Sequence, residues 1–78
     1  MASILNGVKE LREERSWTQS QLAAAVDVSR QSINNLERGR YVPGLELAIR
    51  LGRLFECPVD EIFWLESDVS LDQSNQIS

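Results

Sequence analysis

Between Val28 and Glu37 the chain reads VSRQSINNLE, and several of its side chains are suited to reading hydrogen-bonding edges. If the segment is a helix, its outer face offers Arg30, Gln31, Ser32, Asn34 and Asn35. An arginine can bind guanine O6 and N7 with two parallel donors, and Gln or Asn can hold adenine N6 and N7 in the same bidentate way. No acid stands between Arg30 and Asn35, where a carboxylate would face phosphates. A solvated helix face has a similar composition, so the row means something only if its neighbours hold it outward.

The neighbouring elements are well signposted. Ile4, Leu5, Val8 and Leu11 recur at helical spacing and predict a first helix running to about Arg15. Thr18 with Gln21 forms a capping box, and Trp17 with Leu22 has the spacing of a hydrophobic staple. The second helix then turns Leu22, Ala23 and Val26 inward. Ser29 is a good N-cap, Val28 and Ile33 repeat the staple, and Gly39 is a natural stop for a third helix from Arg30 to Arg38. The turn between these two helices is short and sharp, and Asp27 tolerates the left-handed backbone it requires. Two such helices form a helix-turn-helix candidate, in which small Ala23 permits close crossing. Pro43-Gly44 marks the next break. A fourth helix is expected from Leu45 to Glu56 with Leu47, Leu51, Leu54 and Phe55 inward, and Pro58 opens a short fifth carrying Val59, Ile62 and Phe63. No segment alternates long enough to suggest a strand. The expectation is an all-α, five-helix domain over residues 1–65, followed by a loosely ordered polar tail at 66–78.

Composition narrows the chemistry. The chain has 78 residues, 42% of them apolar, one cysteine and no histidine. One domain is the limit at this length. The missing histidine removes the Ser/His and Cys/His pairs and most zinc sites. Cys57 reads as apolar filler at a helix junction. Asp60 and Glu61 lie in the first turn of a helix, where acids are expected. No apolar run is long enough for a membrane span, and no signal peptide is visible. A cytoplasmic, non-enzymatic domain without metal or cofactor is expected. The net charge is −4, but residues 1–44 carry six basic against five acidic groups (+1), while residues 45–78 carry two against seven (−5). A nucleic-acid surface depends on this local distribution rather than on the total.

The segments KELREERSWTQSQLA, VSRQSINNLERGRYVP, LELAIRLGRLF and VDEIF, within Val8 to Phe63, resemble the phage-repressor/Cro-like (Xre-type) helix-turn-helix family of transcription regulators, and its very short members most. The resemblance implies a repressor-like DNA-binding domain with the helix-turn-helix at helices two and three. It implies base contacts from Arg30, Gln31 and Asn35, and Asn34 on the same outer face is expected as a further base contact. It implies phosphate contacts from Gln19, Ser32, Arg38, Arg40 and Tyr41, and an Arg12–Glu37 ion pair that ties helix one to the end of helix three. Three positions depart from the family pattern: Asp27 and Glu56 replace glycines, and Pro58 replaces a Ser/Thr cap. All three touch helix ends and leave the recognition face alone.

The expected function is sequence-specific binding of double-stranded DNA through the major groove, as a repressor and a homodimer on a near-palindromic operator. One recognition helix spans too few base pairs to select an operator alone. Ile62, Phe63, Trp64 and Leu65, four consecutive apolar residues on the last helix, are the candidates for the dimer interface. The rival is an antitoxin-type module that neutralises a partner protein and binds DNA secondarily; Val69, Leu71 and Ile77 are its few apolar anchors.

Overall fold

Helices two and three begin at side-chain caps. A computed structural model describes residues 4–68 and contains α1 (Val8–Glu14), α2 (Gln19–Ala25), α3 (Arg30–Glu37), α4 (Leu45–Phe55) and α5 (Val59–Ile62). Thr18 closes a full capping box with Gln21 at the head of α2, and the Ser29 hydroxyl accepts from the Ser32 amide at the head of α3. Between them Asp27 takes the left-handed conformation at φ 63°. Its amide and that of Val28 then bond back to Ala24 and Ala23, as a helix C-terminus requires. The same arrangement ends α3: Gly39 at φ 73° and Arg40 return to Leu36 and Asn35.

The purely helical expectation is corrected at both ends. Ile4–Asn6 is a strand, β1, and does not extend α1; Phe63–Leu65 is a second strand, β2, and does not extend α5. They pair antiparallel as Ile4 with Leu65, Leu5 with Trp64 and Asn6 with Phe63. Residues 66–68 are helical again, so five helices do not exhaust the helical segments. The physical reason lies at Asn6, whose Oδ1 accepts the Val8 amide at 3.1 Å and so starts α1 four residues late. Gly7 then donates its N–H to the Ile62 carbonyl at 2.9 Å, which locks the ribbon beside the end of α5. The expected tail beyond residue 68 lies outside the described residues.

The core gathers Val8, Leu22, Val26, Ile33, Leu36, Leu51, Phe55 and Ile62, each no more than 2% exposed. Each of α1 to α5 contributes at or beside its ends, so no single one is stable without the others. Ala23 is buried where α2 crosses α3. Gly52 is needed where α4 meets the start of α5, because a Cβ there would stand 3.1 Å from the Cys57 carbonyl and 3.2 Å from Val59. No helix among the described residues is long and apolar enough to cross a membrane, and no cluster of potential metal ligands occurs among them.

Candidate nucleic-acid interface

One carboxylate at the end of α3 links the first three helices. Glu37 Oε2 accepts from Arg12 Nε at 2.7 Å, and Oε1 accepts from Arg12 Nη2 and from Gln19 Nε2, both at 3.1 Å. Arg12 spends its remaining Nη1 on the Trp17 carbonyl at 2.8 Å. Both charged side chains are shielded, with 11% of Arg12 and 3% of Glu37 exposed. The hydrogen bond to Glu37 raises the Arg12 pKa above its ordinary value, against the opposing effect of burial. A bidentate pair of this kind fixes orientation as well as distance. Here it ties α1, the head of α2 and the tail of α3 into one frame.

The frame fixes where the outward residues point. Arg30 and Gln31 are exposed on the first turn of α3. Gln31 Nε2 donates to Asn35 Oδ1 at 3.2 Å, so two residues one turn apart act as a unit whose free acceptor and donor remain available. Asn34 is half-buried and turned sideways, its Nδ2 lying 3.5 Å from Gln19 Oε1. It sits nearer the bracing network than the outer row. Gln19 is held by Glu37 yet keeps one amide hydrogen free. The Ser32 hydroxyl lies 2.9 Å from that of Ser29, within the N-cap. Arg38 and Arg40 are exposed just past α3 and form no ion pair among the described residues, while Tyr41 packs against the core. Arg12, Glu37, Gln19 and Asn34 thus form one bonded network beside α3, and Arg30, Gln31, Arg38 and Arg40 are exposed on or just past that helix.

One organising residue has a role that no local sequence pattern records. Asn6 Nδ2 donates to the Leu36 carbonyl at 3.0 Å, across thirty residues. It therefore holds the C-terminal end of α3 against the ribbon while its other atom caps α1. An asparagine two residues before a helix hints at the cap; nothing local hints at the bond to Leu36. The four residues expected at a dimer interface are divided among three environments. Ile62 is fully buried in the core. Phe63 and Leu65 share one side of the ribbon, and Trp64 lies on the other, with its ring over Gly7.

Comparisons with known proteins agree with this geometry. A family model described as helix-turn-helix matches residues 8–62. The chain is 40% identical over 63 residues to an uncharacterized HTH-type transcriptional regulator of Bacillus subtilis, covering 81% of this chain and 96% of that one. It is 45% identical over 62 residues to another from Methanothermobacter thermautotrophicus, covering 78% and 90%. It is 36% identical over 62 residues to a competence pilus inhibition repressor of Acinetobacter baylyi, covering 80% of this chain and 56% of that one. With its capped α2–α3 unit and the outward row on α3, the chain belongs to the Xre/Cro-C1-type helix-turn-helix family of DNA-binding transcriptional regulators.

Proposed function

We propose that this protein is a sequence-specific regulator that occupies a near-palindromic operator in double-stranded DNA, acting in the cytoplasm as a homodimeric repressor. The observation that carries the reading is the Arg30–Gln31–Asn35 row, with Arg30 and Gln31 exposed and Asn35 half-buried, on a recognition helix whose tail is held by Glu37 and Asn6. Arg30, Gln31 and Asn35 contact base edges, with Asn34 supporting them through Gln19. Gln19 and Ser32 reach phosphates by hydrogen bonds, and Arg38 and Arg40 by charge, with Tyr41 beside them. The name of the Acinetobacter baylyi relative supports repression as the direction of control.

Selection of bound duplexes from random DNA tests this directly. A log–log salt slope of roughly −4 to −5 is expected for a dimer, because two to three charged contacts per subunit release counterions. Gln31→Ala should cost about 1–3 kcal/mol on the selected site and little on other DNA, whereas Arg40→Ala should weaken all sequences alike. A flat salt response, or unchanged discrimination in Gln31→Ala, overturns the assignment.

A further inference from the structure

Of the four asparagines in the chain, Asn6 alone is followed by glycine. Such a step is open to intramolecular attack, because a glycine has no Cβ to keep its amide nitrogen off the preceding side chain's Cγ. The two polar atoms of Asn6 hold different elements. Oδ1 accepts the Val8 N–H at the head of α1, and Nδ2 donates to the Leu36 carbonyl at the tail of α3. The first bond polarises Cγ toward a nucleophile. The second holds the amide in place, while the Gly7 N–H is given to the Ile62 carbonyl at 2.9 Å. Both reacting groups are therefore restrained as long as the ribbon is closed. Each strand of that ribbon has only three residues, and Leu5 on it is 38% exposed. An element of this kind opens at small cost.

We infer that Asn6–Gly7 is a self-modification site, at which deamidation by water frees the recognition helix from the ribbon. When the ribbon parts, the Gly7 nitrogen passes its proton to solvent and attacks Asn6 Cγ. The N–Cγ bond forms and the Cγ–Nδ2 bond breaks, and Nδ2 takes a proton from solvent and leaves as ammonia. Water then opens the resulting cyclic imide at either carbonyl, giving aspartate or isoaspartate at this position. One water is consumed, one ammonia is released, and nothing is oxidised or reduced. The two contacts of Asn6 fare differently. An aspartate carboxylate still accepts the Val8 N–H, and its charge suits the head of a helix. It has no hydrogen for the Leu36 carbonyl, and it faces the partly negative end of α3, where Asn6 and Glu37 line one cleft. Isoaspartate also lengthens the backbone by one carbon and disturbs the register of β1. The tie to α3 is lost in both products. Because the reaction runs one way, the share of chains with a firmly held α3 falls with age.

The test incubates the full chain in mildly alkaline buffer and follows Asn6 by peptide mass spectrometry, with isoaspartyl methyltransferase labelling for the second product. The folded chain should convert at Asn6, within about a hundredfold of the rate of the same chain unfolded in urea. Asn34 and Asn35, inside α3 and followed by larger residues, should stay intact. Gly7→Ala should keep the amide, because a Cβ hinders the attack. The variant should fold normally, since Gly7 has φ −112° and the added carbon would stand 3.6 Å from the Trp64 ring, an ordinary contact. Asn6→Asp carries one product from the start. Its amide exchange should quicken by about fivefold or more at the end of α3, the weight of one lost hydrogen bond, and stay unchanged at the head of α1. Its preference for selected over random DNA should fall, an effect that rests on the operator-binding reading above. The inference is overturned if the folded chain keeps its amide beyond the stated limit, or if Gly7→Ala converts as fast as the wild type. It is equally overturned if Asn6→Asp leaves either the exchange at the end of α3 or the DNA preference unchanged. Absence of any DNA preference in the wild type would instead overturn the operator-binding reading and leave the covalent chemistry and the exchange result standing.

Discussion

The α1–α3 half and the α4–ribbon half close the same core with different chemistry. In the first, directional polar bonds cross between elements: Arg12, Gln19 and Glu37 form one network, and Asn6 reaches Leu36 from the ribbon. In the second, closure is apolar, through Leu51, Phe55 and Ile62, with Gly52 allowing α5 to approach. The halves are joined by two arginines that cap helix ends. Arg15 donates to the Phe55 carbonyl at 3.0 Å and lies over the stacked Trp17 and Phe55 rings; Arg50 donates to the Val26 carbonyl at 3.2 Å. Cations at helix C-termini are favourable in themselves. The contrast has a functional sense: apolar packing is adequate where an element need only be covered, whereas hydrogen bonds set the angle at which α3 is presented.

The largest expected effect separates the two halves. Glu37→Ala strands the shielded Arg12 and releases Gln19, so urea denaturation should show a loss of up to about 3–5 kcal/mol, less to the extent that water reaches the cation. Leu51→Ala should cost a similar 2–5 kcal/mol through a cavity. Below both melting temperatures, however, only Glu37→Ala should also degrade discrimination between selected and random DNA. Equal DNA binding by the two variants would erase the distinction.

A smaller effect is expected at Asn6. Asn6→Ala removes the cap of Val8 and the tie to Leu36, and should cost about 1–2 kcal/mol in thermal denaturation. Amide exchange should quicken at the end of α3 as well as at the head of α1. Quickening at α1 alone would mean that the ribbon does not steady the recognition helix.

The smallest effect has the opposite sign. Glu56 ends α4 at φ 56°, a conformation that costs a non-glycine residue roughly 1–2 kcal/mol. Glu56→Gly should therefore raise stability by about 0.5–1 kcal/mol after the added freedom of the unfolded glycine is subtracted. DNA binding should be unchanged, since this end of α4 lies outside the α1–α3 frame. A drop in the urea midpoint would show that the glutamate makes a compensating contact.

The parts that were legible in the sequence are those written in neighbouring residues. Thr18 with Gln21, Ser29, Gly39 and the left-handed Asp27 all act within a few positions of themselves, and the structure has each in place. The ribbon was not legible, because three residues are too few to display alternation and the partners lie near opposite ends of the described chain. Ile4 and Leu5 also happen to continue the spacing of Val8 and Leu11, so a helical reading absorbed them. At the site, the outward placement of Arg30 and Gln31 follows from helical periodicity, while the Arg12–Glu37 pair came from resemblance. The sideways turn of Asn34 toward Gln19 and the reach of Asn6 to Leu36 depend on how elements dock, which no local pattern records.

The ribbon also bears on the order in which the chain assembles. Pairing Ile4 with Leu65 closes a loop of some sixty residues, and the entropic cost of closure must be met before the two strands gain anything. Helices α2 and α3 are adjacent in sequence and can dock first, so the ribbon belongs to the last steps of folding and the first of unfolding. Because Asn6 carries the tie to α3, the recognition helix reaches its final stiffness only when the beginning and end of the domain have found each other. A nascent or clipped chain lacking either strand would keep the proposed base-reading residues and yet hold them less firmly.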